Sequence, residues 1–288
     1  MFSEQSAEVQ ELLVGGFVVF MMMAVGIDLT VQKIKAVFQR PAILCMALLV
    51  NYALVPLIFL GLLSLFDVQG MWAVGILFVA VAPGGPVAGV LIQHAGGNLA
   101  LGVSLLVLMN LLNTVLTPMG ILAMDASASS SLPLGGMVKT IVLFQLLPLA
   151  ITMAFRHLRP ERALQLQPTI EKAAKLLLFA ASAVMLSGEI PRLMNMPFRL
   201  VALCHVAVPL VMAAGWFMTP GNREERIAVA LATPYRSISV VLLLLASWVR
   251  DMDAIFAAMT YSGAMLWMCL AASALMRRRQ QRNTISER

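Results

Sequence analysis

The sequence predicts an all-α integral membrane protein of about nine transmembrane helices, built as an inverted repeat with two broken helices. Three observations lead there. The 288 residues are 60% hydrophobic and only 12% charged, and their mean hydropathy is +0.90. Apolar runs long enough to cross a bilayer follow one another through short connections, which leaves no room for a soluble domain. Two of those runs are interrupted by small and polar residues around a proline: Ala82-Pro83-Gly84-Gly85-Pro86 and Thr233-Pro234-Tyr235-Arg236-Ser237.

A window of ~20 residues per crossing places spans at Glu11–Ile27, Ala42–Phe66, Met71–Gln93, Leu99–Leu122, Leu132–Phe155, Ala173–Ile190, Leu200–Met218, Ile227–Val249 and Ala254–Met276. The first is preceded by Glu4 and Glu8 and begins at Glu11, with no basic residue, so it lacks the charged start of a cleaved signal peptide and is expected to stay. The second carries Asn51 and Pro56. In the third, Pro83 removes a backbone donor and the glycines let the chain unwind, so a discontinuous helix is expected. Asn110, Asn113 and Thr114 of the fourth lie beside that break, where lining a cavity and bonding between helices are both open. The seventh contains His205, either a satisfied core histidine or a proton carrier. The eighth holds the second break and Arg236, a guanidinium that is costly near the bilayer centre unless it has a partner or a task.

The stretch Asp125–Ser131 reads as a linker between two halves, 1–127 and 128–288, of roughly four and five crossings. The halves echo each other: Asn51 precedes Pro56 and the first break as His205 precedes Pro209 and the second, and Pro83 and Pro234 stand half a chain apart. A repeat with an odd number of crossings sets its copy upside down in the membrane, and four plus five fits such a repeat with one terminal helix missing.

Basic residues set the orientation. Lys33, Lys35 and Arg40 follow the first span, Arg156, Arg159, Arg162 and Lys172 the fifth, Arg223 and Arg226 the seventh, and Arg277, Arg278, Arg279 and Arg282 the last. With an odd span count these share one side, against chiefly Arg192, Arg199 and Arg250 opposite. The positive-inside rule then puts the carboxyl terminus in the cytoplasm and the amino terminus outside, in a bacterial inner membrane.

The net charge of +6 is therefore a topology signal, and nucleic acid is not expected as a partner. Cys45, Cys204 and Cys269 are widely separated in apolar runs and read as buried thiols; neither a metal site nor a cofactor is expected. No set of base and nucleophile supports an enzyme, and the carboxylates Asp125 and Glu189 sit near span ends, where a cation/proton antiporter would not place its site. Paired broken helices mark the binding site of a secondary transporter. The residues expected to bind substrate or build the crossing are Pro83, Gly84, Gly85, Pro86, Thr233, Pro234, Tyr235, Arg236, Ser237, Asn51, Asn110, Asn113 and His205. Arg236 reads either as a structural lock or as the partner of a substrate carboxylate, its fork reaching carbonyls freed at Gly84 or Gly85. A small organic anion carried by alternating access is the expected cargo; a non-transporting sensor or a membrane-embedded enzyme are the readings from other classes.

Pro83-Gly84-Gly85-Pro86-Val87-Ala88-Gly89-Val90, followed by Ala95-Gly96-Gly97-Asn98-Leu99-Ala100-Leu101 and Leu116-Thr117-Pro118, resembles the signature of the bile acid:sodium symporter family, and Arg223-Glu224-Glu225-Arg226 resembles its second signature. The resemblance covers nearly the whole chain. It implies a core domain of six helices, two of them broken and crossing, and a smaller panel domain, with substrate carried between them. It also implies a sodium- or proton-coupled carrier as the alternative function. Family sodium sites use Ser-Asn after the Pro-Gly-Gly turn, oxygen donors on the next helix, and Glu, Gln and Asn in the second broken helix. Here those positions are Ala88 and Gly89, Gly102 and Leu106, and Leu231, Tyr235 and Arg236; only Asn51 keeps an amide, where the family has Gln. Hydrocarbon cannot ligate sodium. Transport without sodium is the expectation. An arsenite carrier of the related group would place a cysteine beside the first break, and none is there.

Overall fold

The computed structural model describes residues 4–28, 38–85, 87–124, 133–186 and 194–286, and the regular structure among them is helical. Pro86, Lys33, Lys35, Glu189, Arg192, the Asp125–Ser131 linker and the expected boundary between residues 127 and 128 lie outside the described residues.

Helix α1 is Glu4–Asp28. Helix α2, Pro41–Leu65, starts on a proline, whose missing N–H is no loss in a first turn, and widens to a π-helical turn at Val50–Leu54 just before Pro56. Asp67 and Gly70 then take positive φ and turn the chain into α3, Gly70–Ala80. The short α4, Ala88–His94, follows the first break, and α5 is Leu99–Met124, capped where the Asn98 side chain accepts the Leu101 N–H at 3.0 Å. In α6, Leu134–Leu158, a second π-helical turn at Val142–Leu146 precedes Pro148. Then come α7 (Pro160–Leu186) and α8 (Phe198–Met218). Helix α9, Arg223–Ala232, begins on a capping box between Asn222 and Glu225. Past the second break, α10 is Ile238–Val249 and α11 is Met252–Ser286.

Six described segments are long and apolar enough to cross a membrane: Glu11–Asp28, Pro41–Leu65, Leu99–Ala123, Leu134–Leu158, Phe198–Met218 and Met252–Arg279. The other three expected spans differ for physical reasons. Met71–Gln93 and Ile227–Val249 are each two shorter helices around a break, because the backbone hydrogen bonding lapses there. Ala173–Ile190 falls on α7, which starts earlier, at Pro160, and carries Glu161, Arg162, Glu171 and Lys172 in its first half.

Helix α1 packs along α6 and α7, while α11 packs on α3 and α8, and α9 lies against α8, α5 and α4. The two broken helices thus sit within one group of helices, with α1, α6 and α7 beside it. Large apolar side chains also face outward, among them Phe179 at 80% and Phe217 at 79% exposure, which suits a protein whose solvent is hydrocarbon. The outer arginines at one end are neutralised: Arg199 meets Asp67 at 2.8 Å and Arg250 meets Glu11 at 3.2 Å. At the other end Arg40 meets the buried Glu225 at 3.4 Å, while Arg223, Arg278 and Arg279 form no ion pair among the described residues.

Candidate functional site

The two breaks meet in the middle of the fold. Pro83 and Arg236 form an isolated antiparallel bridge, Tyr235 O accepts the N–H groups of Gly84 (3.1 Å) and Gly85 (3.0 Å), and Ser237 N–H donates to Ala82 O at 2.7 Å. Two glycines make this approach possible. Gly84 has φ +95°, and a Cβ on Gly85 would stand 2.6 Å from Arg236 O, closer than any real contact.

Unwinding leaves backbone carbonyls that must find other donors. In a continuous helix Gly84 N–H would bond to Ala80 O; here it has gone to Tyr235, and Arg236 Nη2 takes Ala80 O at 2.7 Å instead. Next, Val81 O accepts from Thr117 Oγ1 at 2.9 Å, Pro83 O from Asn113 Nδ2, Gly84 O from Asn110 Nδ2, and Gly85 O from Ala88 N–H at 3.3 Å. Asn110, Asn113 and Thr117 share one face of α5 at spacings of three and four, so a single helix edge serves the whole break. In the second break Tyr261 Oη donates to Pro234 O at 2.8 Å. Every carbonyl from residue 80 to residue 85 therefore has a partner.

Arg236 is 1% exposed and stands at the centre of this network. Its Nη1 donates to Asn51 Oδ1 at 2.9 Å and its Nη2 also reaches Asn51 O at 3.4 Å. The expected contact with the Gly84 or Gly85 carbonyls does not form: those oxygens are already held by Asn110 and Ala88, and the guanidinium runs back to the end of α3. Asn51 is aimed by the π-helical turn of α2, where Val55 N–H bonds to Val50 O because Pro56 has no N–H to continue the regular ladder. Among the described residues no carboxylate touches Arg236, and neither its Nε nor Tyr235 Oη has a hydrogen-bond partner.

The sequence missed several members of the network. Tyr52 Oη lies 2.9 Å from both Asn113 Oδ1 and Met109 O, and Gln145 Nε2 donates to Asn110 O at 3.0 Å. One signal was available: Val142-Leu143-Phe144-Gln145-Leu146-Leu147-Pro148 repeats the apolar and proline pattern of Val50-Asn51-Tyr52-Ala53-Leu54-Val55-Pro56, and both contain a π-helical turn that presents an amide. Thr117, one turn beyond Thr114, is the hydroxyl that serves the break; Thr114 Oγ1 has no partner. Thr233 is spent locally, donating to Val229 O at 2.8 Å, and Ser237 Oγ lies 3.3 Å from Asn110 Oδ1. Among the described contacts, His205 is not brought into this network. Its Nδ1 is 2.7 Å from Val201 O one turn back in α8, and its half-buried ring lies 5.6 Å from that of the exposed Trp267.

A cavity of about 390 Å³ lies between α1 and α7 on one side and the crossing on the other. Gly85, Tyr235, Arg236 and Ser239 line it on the side of the crossing, and Phe17, Met21, Leu242 and Met265 are among its apolar walls. A second cavity, of about 330 Å³, lies nearer the end of α1, where Asp28, Gln93 and Asn110 face Gly89, Val103 and Leu106. The positions that resemble sodium ligands are packed with hydrocarbon: Ala88, Leu106 and Leu231 are buried, and the space beside Gly102 holds Ile92 Cδ1, 2.6 Å from where a Cβ would be.

A family model described as the sodium bile acid symporter family matches residues 17–196. Among similar proteins, an uncharacterized sodium-dependent transporter, YocS, of Bacillus subtilis is 29% identical over 103 residues, 36% of this chain and 32% of that one. An uncharacterized protein of the same organism, YbaS, is 22% identical over 233 residues, 78% of this chain and 76% of that one. The human ileal sodium/bile acid cotransporter is 25% identical over 146 residues, 49% of this chain and 42% of that one. The match thus spans about a third of YocS and less than half of the human protein.

Proposed function

This chain belongs to the sodium bile acid symporter family, and from that premise we propose that it carries a small organic anion across the membrane by alternating access without sodium coupling. The observation that carries the reading is Arg236: a buried, unneutralised cation at the crossing, with two nitrogens engaged and Nε without a partner, on the wall of the 390 Å³ cavity. A cation there must be satisfied or it would not be tolerated; on insertion scales an arginine at mid-membrane costs about 3 kcal/mol. Its two engaged nitrogens tie α2 to the end of α3, a task that a bound ion performs by gathering oxygens. Nε and the Tyr235 hydroxyl, without partners and closed off from the cavity in this conformation, are then the groups that a carboxylate would meet once the crossing opens. The apolar remainder of the cavity suits an anion with a hydrocarbon body.

The cavities on two faces of the crossing, between helix groups that pack chiefly within themselves, support rocking of α1, α6 and α7 against the rest. The antiparallel meeting of the breaks supports the reading of 1–127 and 128–288 as inverted halves of a nine-span fold, with the amino terminus outside a bacterial inner membrane and the unpaired arginines in the cytoplasm. A sodium-coupled carrier is the second reading, favoured by the names of YocS and the human relative. Uptake of a carboxylate library by proteoliposomes, with sodium or with potassium, separates the two: accumulation in both supports the proposal, and accumulation in sodium alone supports the second reading.

A further inference from the structure

A cleft of about 550 Å³ lies away from the crossing, between the carboxyl-terminal ends of α8 and α11. Its walls include Pro209, Met212, Trp216, Phe217 and Met276, and Arg223 and Arg279 line it too. Both arginines follow the apolar residues along the chain, so they sit at the end of the helices where Arg40, Arg277 and Arg278 also gather.

We propose that this cleft binds an anionic phospholipid, with an acyl chain along the α8–α11 groove and the phosphate between Arg223 and Arg279. Charge complementarity carries the inference. No carboxylate lines the cleft, and neither arginine is ion-paired among the described residues, whereas Arg199 and Arg250 at the opposite end each hold an acid. Of the two acids that follow Arg223, the exposed Glu224 does not line the cleft, and Glu225 is 2% exposed, with Oε2 accepting the Asn222 N–H at 3.0 Å and Oε1 facing Arg40. The floor is hydrocarbon, and Phe217 and Met218 are exposed beside it, so the groove opens where acyl chains lie and not to bulk water. Trp216, half-buried in the wall, is the residue type that settles at the headgroup level, which sets the depth of the phosphate. A basic pocket between helices at the cytoplasmic interface is the physical form of an anionic-lipid site. The proposal needs the protein to be embedded in a membrane and does not depend on what it transports.

The test uses the full chain with Trp72, Trp248 and Trp267 changed to Phe, so that Trp216 is the sole tryptophan and is excited apart from the tyrosines. Reconstituted with phosphatidylcholine and increasing brominated phosphatidylglycerol, Trp216 should be quenched at a mole fraction on the order of ten-fold lower than with brominated phosphatidylcholine, since each arginine adds several-fold preference. Arg223→Gln with Arg279→Gln should bring the two lipids level; Arg223→Lys with Arg279→Lys should keep the preference, and Arg277→Gln with Arg278→Gln should leave it intact. Equal quenching by both lipids in the parent would overturn the proposal, as would a preference that survives the Arg223/Arg279 double Gln variant. Complete competition by glycerol phosphate would show a site for soluble anions, and no quenching by either lipid together with Trp216-proximal cross-links between copies would show that a second copy covers the groove; both also overturn it.

Discussion

Arg236 is held chiefly by oxygens of two different elements, Asn51 Oδ1 on α2 and Ala80 O at the end of α3, with Asn51 O further off. Arg236→Ala would leave both without their donor, at about 1–3 kcal/mol for each buried orphan, and should abolish uptake while lowering the melting temperature in detergent. Arg236→Lys keeps the charge without the fork, so it should melt closer to the parent and still transport poorly. Asn51→Leu removes the acceptor of a charged donor, which costs about 1.5–3 kcal/mol; Asn51→Asp restores an acceptor but neutralises the cation, and should recover stability without recovering anion uptake. Equal stability of Asn51→Leu and the parent would count against Arg236 as an internal tether. Arg236 could be picked out of the sequence because it is the lone charge in an apolar run. Its partners could not, since Asn51 is 185 residues away and Ala80 is a backbone group with no side-chain signature.

The breaks form where Pro83 and Pro234 lack a donor for the ladder, the first eased by Gly84 and Gly85, and the first persists because α5 lends Asn110, Asn113 and Thr117 to its freed carbonyls. Gly85→Ala puts a methyl against Arg236 O, a backbone atom that cannot move aside, and should lower both the melting temperature and uptake. Gly61→Ala, with nothing within 4 Å of the added methyl, should leave both unchanged. Comparable melting of the two variants would show that the backbones do not meet as described. The breaks were legible because Pro83 with its glycines and Pro234 with its polar neighbours stand out in apolar surroundings. Thr117 and Gln145 were not, because choosing Thr117 over Thr114 needs the rotation of α5, and Gln145 is aimed by a π-helical turn whose only written trace is Pro148.

At the scale of the whole molecule, ion pairs sharpen the charge asymmetry that composition suggests: Asp67 and Glu11 neutralise Arg199 and Arg250, so the unpaired arginines collect at the other end. In a variant with Cys45, Cys204 and Cys269 replaced by Ser, a cysteine at Arg278 should react with an impermeant maleimide only in inside-out vesicles, and one at Asp67 only in right-side-out vesicles; the reverse would invert the proposed orientation. Family membership was legible from the Pro83–Val90 run, whereas the proposed independence from sodium rests on particular side chains: Ala88, Gly89, Gly102, Leu106 and Leu231 carry hydrocarbon or hydrogen where the resemblance implies an oxygen. The most direct test of the central claim, that a tethered guanidinium stands where a carrier would bind sodium, is uptake of the identified anion into proteoliposomes at clamped membrane potential. Initial rates in sodium and in potassium should agree. A rate that collapses when sodium is replaced by potassium, or that rises with sodium along a saturation curve, would contradict the account.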